Sequence, residues 1–281
     1  MLVNMSKLLA DAQKGNYAVG SFSVANMEMV LGVLKASEEL NAPVILQIAE
    51  VRLKQSPLEL IGPLMVASAK YAKTPVAVHF DHGKTIEKIS QALELGFTSV
   101  MFDGSHLELD ENIKVTKEVI KLAKKYGADV EAEIGCVGGS EDGSEDIATS
   151  TYTNPLSAID FFKKTGVDAL AIAIGNAHGN YKSTPKLRFD ILEEVEKNTK
   201  LPLVLHGGTG ITPDDFVRCA HTGIKKINIA TATFDSVEHT VKSAYEKGEI
   251  SGYYDLQGAE VEGAYQNAKK HILIFGTDNK A

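Results

Sequence analysis

Strand-like and helix-like stretches alternate along this chain from end to end. That alternation constrains the fold more than any other feature of the sequence. Strand-like segments lie at 17–22, 44–49, 76–80, 99–102, 129–134, 169–174, 203–205 and 226–229, the third opening on the β-branched pair Val76 and Val78. Helical patterns follow them at about 27–40, 58–72, 86–95, 112–126, from 155, and at 189–197, 213–221 and 233–247. A short amphipathic helix precedes the first strand, and a helix at about 258–274 closes the chain. Eight strand–helix units in 281 residues predict an α/β fold of the (β/α)8 TIM-barrel type. The expectation is a single domain over 1–281, with extra N- and C-terminal helices. An open doubly wound sheet is the alternative, but no G-x-G-x-x-G turn follows the first strand. Residues 135–154 form the one long irregular stretch, rich in Gly, Ser, Asp and Glu. After the fifth strand of a barrel, such a stretch is expected to be a mobile active-site loop.

Composition excludes several classes of function. Apolar residues make up 44% of the chain, enough for a large core. No apolar run reaches the roughly 18–20 residues of a membrane span. The first residues, MLVNMSKLLADAQKG, lack the continuous apolar segment and cleavage site of a secretory signal. Cys136 and Cys219 lie far apart without metal-type spacing, which suits a reducing compartment. A cytoplasmic, membrane-free protein is expected. The net charge of −8 argues against a nucleic-acid surface. It leaves a phosphorylated small molecule open, since that needs only a local site.

The ionisable residues collect at strand ends. Asp81 and His82 end the third strand, Asp103 the fourth, and Glu133 lies near the end of the fifth. His178 follows the sixth strand, His206 ends the seventh, and Asn228 lies in the eighth. In a barrel these ends face one rim, where sites are built. Burying Asp81 beside His82 costs folding energy unless something pairs with them, such as a metal or a substrate. The plainer alternative has Asp81 capping the helix near Thr85 and His82 as a loop residue. Three neutral imidazoles with an open fourth position suit a catalytic zinc, so His82, His178 and His206 are the ligand candidates. His79 lies inside the third strand and fits less well. His221, His239 and His271 lie on helices and are expected at the surface, and the loop holding His106 reads as a tight turn. Glycines follow the candidates: Gly83, Gly179, and Gly207-Gly208-Thr209-Gly210. Such turns expose backbone N–H groups that can hold a phosphate. Lys182 lies near the Gly179 turn, and Thr231 follows the eighth strand.

The segments HFDHGKT, SVMFDGSH, VEAEIGCVGGSEDG, AIAIGNAHGNYKSTP, LVLHGGTGI and KINIATAT stand in that order. In these the chain resembles the class II, zinc-dependent ketose-bisphosphate aldolases of the fructose- and tagatose-bisphosphate type, over nearly its whole length. The resemblance implies a homodimeric or homotetrameric barrel with zinc on His82, His178 and His206. It makes Glu133 an alternative metal position and puts Asp103 near a second-metal site. It implies reversible cleavage of a ketose 1-phosphate or ketose 1,6-bisphosphate to dihydroxyacetone phosphate and an aldehyde. The phosphate would rest on Gly179, on Gly207, Gly208 and Thr209, and on Asn228, Ile229, Ala230 and Thr231. Lys182 falls in the same loop as Gly179, and a monovalent cation, Na+ or K+, often sits beside that phosphate. Asp81 would shuttle the proton of the aldehyde-derived hydroxyl, and Glu141 the carbon-bound proton. Zinc polarises the carbonyl, so no Schiff-base lysine is required.

The chain departs from the family where the aldehyde half binds. The first strand ends in Ser21-Phe22-Ser23 where the family usually has an A-F-N-type motif. Ala49-Glu50-Val51-Arg52 replaces small polar and glycine residues. Gly252-Tyr253-Tyr254-Asp255 stands where a D-P-R segment is usual. Ser23 and Arg52 are therefore candidates for binding the aldehyde half, with Arg52 supplying the missing cation. Two rival readings are a non-catalytic sugar-phosphate-binding barrel subunit and another metal-dependent lyase, isomerase or hydrolase on the same fold.

Overall fold

The computed structural model describes residues 1–139, 151–180 and 185–281. Strands β1 (Val19–Ser23), β2 (Val44–Ala49), β3 (Val76–Gly83), β4 (Ser99–Phe102) and β5 (Asp129–Ile134) lead the chain. They continue as β7 (Ala169–Ile172), β9 (Leu203–Leu205) and β10 (Ile224–Ile229), and all pair in parallel. The sheet closes in the order β1-β10-β9-β7-β5-β4-β3-β2, an eight-stranded barrel as expected. Two short strands, β6 (Gly138–Gly139) and β8 (Ala177–His178), pair outside the barrel wall. Helices α2 (Met27–Glu39), α3 (Leu58–Tyr71), α4 (Ile86–Glu94), α5 (Leu109–Ala123) and α6 (Pro155–Thr165) belong to the outer ring. So do α7 (Phe189–Thr199), α8 (Pro213–Thr222) and α9 (Thr231–Glu246). Helix α1 (Met5–Gly15) precedes β1, and α10 (Tyr253–Phe275) packs along α2 and α9.

The elements start where their chemistry permits. Asn26, Thr85, Asn154 and Thr212 each accept a backbone N–H with the side chain at a helix start. Pro155 and Pro213 open their helices, where a missing N–H costs nothing. The outer core lies between wall and helices, built from residues such as Phe22, Phe80, Val100 and Leu192. A second core fills the N-terminal mouth: Met5, Leu8, Leu9 and Ala12 of α1 meet Val19, Ile45, Ala77, Ala169, Ala171 and Val204. Helix α1 thus plugs the barrel floor and leaves the other mouth for polar residues.

Two expectations are corrected. His271 is not a surface residue: it is 5% exposed, packs on Phe216 and Phe275, and its Nδ1 lies 2.9 Å from the Asn267 carbonyl oxygen. Helix α10 is covered by α2 and α9, so its histidine face turns inward. Burial depresses the His271 pKa to about 4. The third strand also runs longer than its apolar stretch, through Asp81 and His82 to Gly83. The capping role considered for Asp81 therefore falls away, because Thr85 caps α4 itself.

Candidate active site

A local irregularity in β3 sets the geometry of the C-terminal mouth. Successive side chains in a strand point to opposite faces. Asp81 and His82 are adjacent, yet both reach into the mouth. The pairing with β4 shifts register between Phe80 and Gly83, and His82 has φ +44°. A bulge of this kind re-aims a side chain at a strand end. A non-glycine residue held in the left-handed region costs of order 1–3 kcal/mol, a cost concentrated at functional sites. Gly83 follows because a Cβ there would lie 2.5 Å from the Met101 carbonyl oxygen.

The three candidate histidines come together. His82, His178 and His206 offer nitrogen atoms all within 4.8 Å of one another. His206 Nδ1 lies 2.7 Å from His82 Nε2. His178 is held by the β6–β8 pairing, Gly139 against His178, beside the turn that carries Gly207. Gly207 has φ +60°, and a Cβ on it would collide with the Ala177 carbonyl oxygen. The set offers three ring nitrogens to one ion, the donor type of catalytic zinc sites that keep an open fourth position. Burial, aided by neighbouring His82, holds the His206 pKa well below its ordinary value, so the ring stays neutral, as a ligand must. Asp103 and Glu133 group with His82 in a second ligand-type cluster. Asp103 Oδ2 meets His82 Nδ1 at 3.0 Å and so orients the ring from behind. Burial alone would raise the Asp103 pKa, but hydrogen bonds from His82 and Ser105 outweigh it and hold the carboxyl well below its usual range. Glu133 Oε1 accepts the Val137 N–H at 3.2 Å, and its Oε2 lies 3.7 Å from His206 Nδ1.

Asp81 is 3% exposed, and both its oxygens are held by amides. Gln47 donates to Oδ2 at 3.0 Å and Asn228 donates to Oδ1 at 3.1 Å. Gln47 also donates to Ser23 at 3.1 Å and accepts from Ser21. Beneath lies a buried layer of His79, set aside above as a ligand, with Glu131 and Lys226, which the sequence pattern did not single out; all three are 0% exposed. Polar residues inside apolar strand runs were the available signal, as with Gln47 in VILQIA and the spacing of two between Glu131 and Glu133.

A narrow cleft opens over this network. Its lining brings Asp81, His178, Gly179, Gly207, Gly208, Thr209, Asn228, Ala230 and Thr231 together with Ser23 and Arg52. Ile229 does not line it; its side chain is buried in the wall. Thr209 accepts the Ala232 N–H at 3.0 Å, which ties the glycine turn to the start of α9.

A family model, fructose-bisphosphate aldolase class-II, matches residues 3–280. The chain belongs to the class II fructose-bisphosphate aldolase family. It is 39% identical to a fructose-bisphosphate aldolase of Staphylococcus aureus, over 100% of this chain and 99% of the relative. It is 40% identical to a fructose-bisphosphate aldolase of Geobacillus stearothermophilus, with the same coverage. The crystal structure of the YdjI aldolase from Escherichia coli K12 superposes with a TM-score of 0.90, at 35% identity and with both chains covered in full. The chain is thus an aldolase, a lyase of a metal-dependent class.

In this aldolase Arg52 is half-buried and lines the cleft. It lies in a 3-10 turn, Glu50–Lys54, with its guanidinium 5.0 Å from the centre of the Phe234 ring. Glu50 anchors that turn by accepting the N–H groups of Lys84 and Thr85 at 2.7 and 3.2 Å. Tyr253 and Tyr254 open α10 as exposed residues and do not line the cleft. Glu141 and Lys182 lie outside the described residues, as does most of the expected loop at 135–154. Among the described residues no helix is long and apolar enough to cross a membrane.

Proposed function

We propose that this aldolase holds zinc on His82, His178 and His206 and reversibly cleaves a ketose 1-phosphate to dihydroxyacetone phosphate and an aldehyde. The observation that carries the reading is the meeting of three imidazoles beside a doubly anchored aspartate, over a glycine-lined cleft. Zinc suits an all-imidazole set better than magnesium or calcium, which prefer oxygen ligands. When bound, zinc supplies Lewis-acid polarisation of the ketose carbonyl and offsets the charge that develops there as the C–C bond breaks.

The chain's own residues do the rest. Asp81 takes the proton from the hydroxyl that becomes the aldehyde oxygen, and returns it in condensation. Its two amide anchors keep one orientation through the cycle, so no energy is spent reorienting it. The phosphate rests on Gly179, Gly207, Gly208 and Thr209, with Asn228 and the backbone of Ile229, Ala230 and Thr231 completing the cradle at the start of α9. A Na+ or K+ ion beside that phosphate belongs to the same reading. Asp103 orients His82, Glu133 offers an alternative ligand, Glu141 moves the carbon-bound proton, and Lys182 serves the phosphate side. Assembly as a homodimer or homotetramer and a cytoplasmic location are part of the proposal.

Ser23 and Arg52 form the acceptor side. Arg52 favours an aldehyde with an anionic tail, phosphate or carboxylate, through a guanidinium fork that lies over the Phe234 ring. Steady-state cleavage of fructose 1-phosphate, fructose 1,6-bisphosphate and ketose 1-phosphates with carboxylate tails tests this. Arg52→Met is expected to lower kcat/KM about tenfold or more for the anionic tails and to leave fructose 1-phosphate unchanged. Equal losses on all substrates would refute the role of Arg52. Failure of every ketose 1-phosphate, bisphosphates included, to release dihydroxyacetone phosphate would refute the function.

A further inference from the structure

The buried ammonium of Lys226 stands between the histidine cluster and Asp81. Lys226 lies in β10 and is 0% exposed, as is Glu131 in β5. Its Nζ is 2.7 Å from Asn228 Oδ1 and 2.9 Å from Glu131 Oε2. An ammonium can only donate. The Asn228 oxygen must therefore face Lys226, which turns the Asn228 NH2 toward Asp81 Oδ1, 3.1 Å away. The reversed amide would set NH2 against ammonium and oxygen against carboxylate.

The other arm runs through Glu131. Its Oε2 faces the ammonium, and its Oε1 lies 2.9 Å from His206 Nε2. A carboxylate only accepts, so Nε2 carries the hydrogen and Nδ1 keeps its lone pair. Nδ1 is the atom that faces His82 Nε2 at 2.7 Å. A histidine fixed in that tautomer by a carboxylate behind it is the form that binds a metal. The neighbouring group of His79, Asp81 and Glu131 also has ligand-type spacing. The ammonium already supplies a cation at Glu131, so this group does not ask for a second ion.

We propose that Lys226 is a positioning residue that couples the two halves of the site: one buried ammonium sets the amide that aims Asp81 and the carboxylate that fixes the His206 tautomer. The inference rests on the proposed metal site and on the role given to Asp81.

Three proteins test it: Lys226→Met, the double variant Lys226→Met/Glu131→Gln, and the unsubstituted chain. Zinc affinity of the metal-free proteins is measured by chelator competition, and melting temperature alongside. Cleavage kcat and KM are measured on whichever of fructose 1-phosphate and fructose 1,6-bisphosphate the unsubstituted chain cleaves faster. Lys226→Met should lose about tenfold to a hundredfold in both zinc affinity and kcat, with KM unchanged within about twofold. The double variant removes the stranded carboxylate charge, and the amide oxygen introduced by Glu131→Gln can still accept from His206. It should regain stability and zinc affinity while kcat stays low, because the Asn228 amide remains unset. A purely structural role predicts that kcat recovers with stability, and that result would overturn the proposal. A loss confined to zinc affinity or to kcat in Lys226→Met would also overturn it. If Lys226→Met does not fold, the double variant alone decides between these outcomes. Failure of the underlying reading has a different signature: an unsubstituted chain that binds no zinc, or an Asp81→Ala variant that keeps its rate.

Discussion

The same eight strands end in two unlike mouths. At the N-terminal mouth Met5, Leu8, Leu9 and Ala12 sit on small and branched strand residues, and the layer is held by packing. At the C-terminal mouth Gln47, His79, Asp81, Glu131, His206, Lys226 and Asn228 occupy the interior and are linked by hydrogen bonds and an ion pair, with His79 Nε2 and Glu131 Oε2 left without a hydrogen-bond donor or acceptor among the described residues. Loss of a methyl at the first mouth costs contact area and leaves a void. Loss of a polar group at the second strands its partner in a low dielectric. One end of the barrel therefore stores stability, and the other holds orientation.

Substitutions at the two ends should separate these quantities. Asp81→Ala is expected to lower cleavage by about 10²–10⁴-fold while the protein still binds one equivalent of zinc. A variant that keeps most of its rate would remove Asp81 from the proton path. Leu9→Ala, on the floor, should cost about 2–5 kcal/mol in denaturant unfolding and leave kcat unchanged. A parallel fall in kcat would show that the mouths are not independent.

His271, buried in α10 against Phe216 and Phe275, isolates the effect of burial on an imidazole. Its folded pKa of about 4 lies below the ordinary value of roughly 6.5. Below pH ~6.5 the unfolded chain takes up a proton that the folded one refuses. Stability is unaffected at higher pH and falls by about 3 kcal/mol as pH drops from ~6.5 to ~4. His271→Phe should flatten the unfolding free energy over that window and change nothing in its slope above pH ~7. An unchanged slope would mean burial is not the cause. The smallest effect belongs to the helix start behind β3. Thr85→Ala should cost about 1 kcal/mol through loss of the α4 cap, read as a small drop in melting temperature.

Much of this was legible in the sequence, for reasons particular elements make plain. β2, β4 and β9 span the residues that their short, mostly apolar runs predict, because buried parallel strands carry their signal on both faces, and β5 spans an alternating run. His82, His178 and His206 were legible because each stands at a strand end, and strand ends share a rim. The bulge that carries β3 past His82 to Gly83 was not, because a bulge reads as the start of a loop. The Gln47, Glu131 and Lys226 layer was hidden inside strands, where a single polar residue looks like an interruption until its partner two or three strands away is known. His271 was misread because an amphipathic helix covered by helices on more than one side buries some of its polar residues too.

The central claim is that three imidazoles distant in sequence converge on one divalent ion. Crystals of the zinc-loaded protein, measured at the zinc absorption edge, test it most directly. A single strong anomalous peak is expected at about 2.0–2.1 Å from one ring nitrogen each of His82, His178 and His206. A peak away from these rings, or rings turned apart with no peak between them, would contradict it.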